Sequence, residues 1–274
     1  MFNHRIETYQ QLTLADRRWL VHEDFVESES FKTLARLPTN FMPAEEQMVQ
    51  KRRGHVSWFF QEPGLAGRLF VKKYYPRNRI NRVQYAFRRN RAVNEFSANF
   101  RFRQLGLSVS KMLALGEHKT AGFWHNSLLI SQGYSNCTTL KDIDWAQESI
   151  EQLIEPFARD IARLHDNGIY FGDLHSGNVL VVSENQSQYC LLTDLDKVKF
   201  YRNLPDRLWV DDLARLNGHI DSTNPQRMQF FRKYCHYRKL SNIHTWYLRV
   251  NDRTEYLWKK YQRKHGVDVR KYML

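Results

Sequence analysis

Between Leu164 and Val198 the chain reads LHDNGIYFGDLHSGNVLVVSENQSQYCLLTDLDKV, the pattern of a helix end, a short loop, a strand, a turn and a second strand. An oxygen-bearing side chain stands wherever the backbone changes direction. Asp173 lies in the first loop, Asn178 follows five residues later ahead of the apolar run Val179–Val182, and Asp194 closes the run Cys190–Leu192. Taken singly, each is an ordinary turn former, and a lone Asp-x-x-x-x-Asn is a common accident. The ordered combination is far more specific: LH-x-x-G, then G-D-L-H-x-G-N, an apolar strand, and a second apolar strand ending in T-D-L-D. Two carboxylates and an amide oxygen form the kind of donor set that a hard cation such as Mg2+ takes, few ligands and all of them oxygen.

The pattern resembles the catalytic loop of protein kinases. There D-x-x-x-x-N sets a carboxylate beside the attacking hydroxyl and an amide oxygen on the metal, and the Asp of D-F-G holds the ion bridging the phosphates. Asp194-Leu195-Asp196 stands where D-F-G would be. Phosphoryl transfer is mostly positioning and charge neutralisation, which is why side chains of these types are needed at the ends of neighbouring strands.

A chain of 274 residues with 42% hydrophobic and 26% charged residues is long and apolar enough to bury a sizeable core. No apolar run approaches the roughly 18 to 20 residues needed to span a bilayer, and the amino terminus MFNHRIETYQ lacks the apolar core of a signal peptide. Cys137, Cys190 and Cys235 are odd in number and far apart, and read as reduced thiols of a cytoplasmic protein rather than a disulfide or zinc framework. The net charge of +13 points to an anionic partner: a membrane surface, a phosphorylated substrate or nucleic acid.

Residues 1 to about 40 carry mixed charges and scattered aromatics with no assignable chemistry. His55–Phe60 and Arg68–Lys72 read as two strands of a hairpin turned at Glu62–Gly67, with Gly54 ahead of the first as a faint glycine loop. A second strand ending in lysine is similar to the kinase V-A-I-K strand. Strand alternation puts Phe70 and Lys72 on one face and favours Lys72 over Lys73 as the phosphate-reaching lysine. From Lys72 to Arg91 there are eight cations and no acid, with aromatic and aliphatic residues interleaved. Such a stretch is either a solvated face or a surface for anionic lipid or a phosphorylated sugar. It also suits single-stranded nucleic acid, but no nucleic-acid motif accompanies it, so that partner is disfavoured.

Val93, Phe96, Phe100 and Leu105 have helical spacing, closed by Gly106. Glu95 on that helix is the sole acid between Glu62 and Glu117, and is the candidate partner of Lys72. Val109–Leu115 and Leu128–Ile130 read as further strands, after which Ser131-Gln132-Gly133 stands as a hinge, with Gln132 meeting adenine through its backbone. Ile150, Leu153, Ile154, Phe157, Ile161 and Leu164 form a helical core stripe stopped by Asn167-Gly168, and His165 at its end reads as a packed structural histidine. Three more helices are expected, one over Leu208–Asn217 and two near 225–240 and 253–264. The whole implies an α+β, two-lobed, protein-kinase-like fold. Residues 1–132 form a mainly β amino-terminal lobe and 133–274 a helical carboxyl-terminal lobe carrying the catalytic loop.

V-K-K-Y-Y-P-R, Y-A-F-R-R-N-R-A with N-E, R-Q-L-G-L-S-V-S-K-M-L-A-L-G-E, G-D-L-H-S-G-N-V-L-V, T-D-L-D-K-V-K-F and D-D-L-A-R-L-N together resemble the lipopolysaccharide core kinase family, the Kdo and heptose kinases of Gram-negative bacteria. The resemblance spans roughly residues 50 to 220. It implies ATP and Mg2+, and phosphorylation of a sugar hydroxyl on nascent lipopolysaccharide core or another anionic glycolipid. It also implies a cytoplasmic protein, peripheral on the inner face of the membrane, with the Lys72–Arg91 stretch as its anionic-membrane surface. Asp173 would be the base, Asn178 and Asp194 the metal ligands, and Lys72 with Glu95 the phosphate-positioning pair. Phe171-Gly172 replace the H-R of the protein-kinase H-R-D, which favours a small or glycolipid acceptor over a protein. Two rivals remain: a small-molecule phosphotransferase of the aminoglycoside or choline kinase type, and an inactive kinase-like module binding anionic membrane or nucleic acid. The +13 charge disfavours a cationic drug as acceptor, and the intact Lys72, Asp173, Asn178 and Asp194 disfavour inactivity.

Overall fold

The structure, a computed structural model, describes residues 8–61, 67–143, 151–184, 187–218 and 224–266. By its internal contacts the chain forms two units. The first is Met1–Leu105 with Ser110–Ser135, and the second is Gly106–Val109 with Asn136–Leu274. The sequence placed the division after residue 132. The chain itself divides after Ser135 and assigns four residues of the α–β connection to the second unit.

The first unit is built on a seven-stranded antiparallel sheet. Its strands are β1 (Tyr9–Leu14), β2 (Arg17–His22), β3 (Met48–Arg52), β4 (His55–Phe60), β5 (Leu69–Tyr74), β6 (Met112–Thr120) and β7 (Phe123–Gln132), in the order β1-β2-β6-β7-β5-β4-β3. The expected hairpin is β4–β5, paired from Phe60↔Leu69 to His55↔Tyr74; its turn at Glu62–Ala66 lies outside the described residues. Gly54 sits in the turn between β3 and β4, so a further strand precedes the hairpin. The first 40 residues, silent in sequence, supply β1, β2 and helix α1 (Glu29–Ala35). Trp19, Phe31 and Leu34 from this segment pack with Val56, Trp58, Val71 and Ile130. The opposite sheet face packs Tyr74, Met112, Leu115, Trp124 and Leu129 with Ala92 of helix α3 (Arg91–Gln104). Asn90 starts α3, its side chain accepting from the Val93 amide at 3.1 Å. The α3 residues turned inward are Ala92, Glu95, Ala98, Asn99 and Phe102, while Val93 and Phe96 flank the core half-buried.

Both sheet faces are therefore covered, and neighbouring residues of β5 meet different surroundings. Lys72 shares the α3 face with Tyr74, and Lys73 shares the other with Val71. Between β5 and α3 lies helix α2 (Arg79–Phe87), with exposed Ile80 and Val83.

The second unit contains β8 (Cys137–Thr139), α4 (Glu151–Asp166), β9 (Ile169–Tyr170), β10 (Val179–Glu184), β11 (Ser187–Leu192), β12 (Lys199–Phe200), α5 (Asp206–Asn217), α6 (Asn224–Tyr237) and α7 (Ile243–His265). Its strands form a three-stranded sheet, β11-β10-β8, and a two-stranded one, β12-β9. Leu153, Ile154, Phe157, Ile161 and Leu164 of the expected stripe are buried on α4; Ile150 lies outside the described residues. Gly168, at φ +72°, ends that run. A side chain there would run into the Tyr201 carbonyl, while its own carbonyl accepts from the Tyr201 amide at 2.7 Å and aligns β9 with β12. Among the described residues no helix is long and apolar enough to cross a membrane.

Candidate active site

In the first unit, Lys72 Nζ lies 3.1 and 3.4 Å from the Glu95 carboxylate oxygens, and both side chains are 7% exposed. The Tyr74 hydroxyl also donates to Glu95. The two residues that the sequence paired across 23 positions are thus brought together on one sheet face, and strand alternation is the reason.

Lys73 does something the sequence does not announce. Its ammonium donates to the carbonyls of Thr39 at 2.7 Å and Phe41 at 2.6 Å, in the segment after α1, and it is 4% exposed. Burial, with Arg17 nearby, pushes the Lys73 amine down to about 8. The folded-state value lies below that of the unfolded chain, so between about pH 8 and about 10.4 the unfolded state binds the extra proton and stability rises with pH. In urea titrations at pH 8, 9 and 10, wild type is expected to gain on Lys73→Met by up to about 1.4 kcal/mol per pH unit. Parallel pH profiles for the two proteins would refute the assignment.

The eight-cation stretch accordingly splits. Lys72 and Lys73 are buried, and Arg91 lies over the Tyr74 ring at 5.0 Å. Arg77, Arg82, Arg88 and Arg89 point outward. Gln132, the expected adenine contact, ends β7 with an exposed side chain. Its amide donates to the Lys111 carbonyl at 2.9 Å, and that of Gly133 to the Arg68 carbonyl at 2.8 Å. Neither N–H is left to meet a base.

In the second unit, the residues of the expected catalytic loop gather at the ends of β9, β10 and β11. Asn178 donates Nδ2–H to the Asp173 carbonyl at 3.0 Å, and the Asn178 carbonyl accepts from the Thr193 amide at 2.9 Å and the Thr193 hydroxyl at 3.1 Å. The β10–β11 register, Val179↔Leu192, continues into this pair and places Asp194 next in line. Asp194 takes a left-handed backbone, φ 59°, which Asp tolerates better than most residues, and a tight turn over Leu195–Lys197 follows. Among the described residues no three His, Cys, Asp or Glu side chains form a metal cage. Mg2+ needs none, since it binds through one or two protein oxygens and keeps the rest for phosphate and water. The bond from Nδ2 to the Asp173 carbonyl fixes the Asn178 amide so that Oδ1 is the atom presented, the orientation a cation requires.

Four further side chains bear on this loop. Lys197 Nζ lies 2.5 Å from Asp173 Oδ2. Asp212, on α5 and wholly buried, accepts from the Phe171 amide at 2.7 Å and the Gly172 amide at 2.9 Å, holding the two residues before Asp173. Burial pushes its carboxyl up, against the pull of His165 and those two amides. His165 is itself fully buried, its Nδ1 2.9 Å from the Tyr234 hydroxyl and its Nε2 3.5 Å from Asp212, and burial pushes its imidazole down. Asp211 accepts from the Tyr170 hydroxyl at 2.8 Å, from Arg215 Nε at 2.9 Å and from Arg253 Nε at 2.8 Å. Burial works against its charge, but the Arg253, Tyr170 and Arg215 bonds hold the Asp211 carboxyl below its usual range. D-D-L-A-R-L-N contains both acids, and nothing in the sequence assigns either an individual role.

A sheet-rich first unit, a helical second unit and this loop geometry define an α+β, protein-kinase-like fold. A solved structure of WaaP in complex with acyl carrier protein shares it, at a TM-score of 0.60, 17% identity, and coverage of 88% of this chain and 99% of that one. The lipopolysaccharide kinase (Kdo/WaaP) family matches residues 43–234, and the chain belongs to that family of kinases. Among curated relatives, the 3-deoxy-D-manno-octulosonic acid kinase of Haemophilus influenzae strain Rd is 25% identical over 166 residues, 57% of this chain and 69% of that protein. The same enzyme from strain 86-028NP matches to the same extent.

Proposed function

We propose that this chain transfers the γ-phosphoryl group of ATP to a sugar hydroxyl of the lipopolysaccharide inner core, on a Kdo or heptose residue, at the cytoplasmic face of the membrane. The observation that carries the reading is the linkage of Asp173, Asn178 and Thr193–Asp194 through backbone and amide hydrogen bonds, inside the stretch that the family covers. Mg2+, when bound, neutralises charge on the β- and γ-phosphates, and Asn178 Oδ1 and the Asp194 carboxylate are the groups that would hold it. Asp173 orients the acceptor hydroxyl and takes its proton. Lys72, steadied by Glu95 and Tyr74, supplies a fixed cation for the nucleotide phosphates. The test is incubation with Mg2+, γ-labelled ATP and purified dephosphorylated core, with mass spectrometry to locate the phosphate. Label in the core supports the reading. Turnover stimulated only by soluble amino alcohols or aminoglycosides would move the chain to the small-molecule class.

The membrane surface of this reading is α2 and its flanks rather than the whole basic stretch. Ile80 and Val83 are 66% and 50% exposed, with Arg77, Arg82, Arg88 and Arg89 exposed around them. This is the composition of a short helix that sets apolar side chains among lipid tails and guanidiniums on phosphates. At about 1 kcal/mol per cation, replacing all four arginines with alanine is expected to weaken binding to vesicles containing phosphatidylglycerol by roughly a hundredfold to a thousandfold. Equal sedimentation of wild type and variant with those vesicles would place the membrane surface elsewhere.

A further inference from the structure

Asp173 meets a cation that neither its own loop nor the expected metal set supplies. Leu195 and Asp196 are buried and anchor the tight turn after Asp194, closed by the Val198 amide on the Leu195 carbonyl at 3.2 Å. Lys197 then emerges 52% exposed, with its ammonium 2.5 Å from Asp173 Oδ2. Gly172, at φ +82°, makes the approach possible. A Cβ there would lie 3.0 Å from the Lys197 carbonyl oxygen, so the two loops pack backbone to backbone because residue 172 has no side chain. The lysine is placed by the fold, and a half-exposed ion pair of this kind contributes little stability.

Charge on the transferred phosphoryl group has to be met by a cation from the protein as well as by metal. His175, two residues beyond Asp173, accepts the Gly177 amide at 3.1 Å through Nδ1 and caps its own turn. Arg215 is engaged with Asp211 at 2.9 Å. Lys197 is long, half exposed and already at the carboxylate that takes the hydroxyl proton.

We propose that Lys197 is a catalytic cation, paired with Asp173 at rest and moving onto the transferred phosphoryl group during the reaction. The proposal rests on the reading of Asp173 given above. In the step, the acceptor oxygen forms a bond to the γ-phosphorus, and the bond from that phosphorus to the β,γ-bridging oxygen breaks with its electron pair leaving on ADP. The hydroxyl proton passes to Asp173, and Lys197 stays protonated throughout, contributing charge alone.

The experiment compares Lys197→Ala, Lys197→Arg and Asp173→Ala with wild type in the core phosphorylation assay. For Lys197→Ala the expected result is a kcat lowered about 10²- to 10³-fold, as for removal of one donor to developing transition-state charge. ATP affinity and melting temperature stay at wild-type values, Lys197→Arg keeps part of the rate, and added ethylammonium restores part of it to the alanine variant. Lys197→Ala within threefold of wild type, with Asp173→Ala inactive, would remove the lysine from the mechanism and leave the base in place. A loss that arginine shares and ethylammonium leaves untouched would mark a brace for Asp173 and overturn the catalytic role. Full activity of Asp173→Ala would instead remove the reading on which the proposal rests.

Discussion

Asp173→Ala is expected to lower kcat for phosphate transfer about 10²- to 10⁴-fold, the usual contribution of a positioned general base, with little change in the apparent affinity for ATP. The expectation follows from what the carboxylate touches. Its only ion pair among the described residues is with Lys197, which is half exposed, so its removal leaves no buried charge stranded. The bond that fixes Asn178 runs to the Asp173 carbonyl, a backbone atom that alanine retains. Metal-ligand geometry and fold should both survive, and the loss should fall on the chemical step. Asp173→Asn sharpens the test, because the amide preserves volume and can still accept from Lys197 but cannot take a proton; a comparable loss is expected. Initial rates across ATP and core concentrations separate kcat from KM. An alanine variant within threefold of wild-type kcat would exclude Asp173 as the base.

That loop was legible in the sequence because its parts are local. Asp173, Asn178 and Asp194 lie within a strand–turn–strand unit whose hydrogen bonds run between near neighbours, so spacing alone assembles them. Lys72 and Glu95 were legible for a related reason, since β alternation and a single helix fix which faces they occupy. What stayed hidden depends on partners far along the chain. Lys73 reads only as the neighbour of Lys72 on the other strand face, yet it is buried against Thr39 and Phe41, in a segment whose strands have too weak an apolar pattern to declare themselves. In β1, YQQLTL never presents a fully buried residue, and β2 buries Arg17, whose guanidinium donates to the Leu37 carbonyl at 2.8 Å. A hydropathy pattern scores such an arginine as surface. Gln132 shows the converse case. It ends β7, and the amides of Gln132 and Gly133 are taken by the carbonyls of Lys111 and Arg68, which spacing cannot foretell.

Asp212 is the extreme of that hidden class, and its replacement should have the largest effect on the fold. It is 0% exposed and binds two backbone amides roughly 40 residues upstream, at Phe171 and Gly172. Alanine would take the shared carboxylate from the buried Phe171 amide and the half-buried Gly172 amide, and from beside His165. An amide left without its acceptor costs about 1 to 3 kcal/mol, so losing the acceptor of both costs several kcal/mol. For a chain of this length that is a fall in melting temperature on the order of 10 °C. Asparagine should cost less, since its oxygen can keep one amide while its NH2 faces the other, donor to donor. The effect on activity should come through position: with the Phe171 and Gly172 amides released, the backbone entering Asp173 loses its anchor, and kcat should fall even at temperatures where the variant is folded. Asp173→Ala, by contrast, should melt like wild type. Hydrogen exchange at the Phe171 and Gly172 amides discriminates the two mechanisms directly, because protection there should collapse in Asp212→Ala and persist in Asp173→Ala. If Asp212→Ala melts within 2 °C of wild type and those amides remain protected, then something other than Asp212 holds the catalytic loop, and the buried carboxylate has no positioning role.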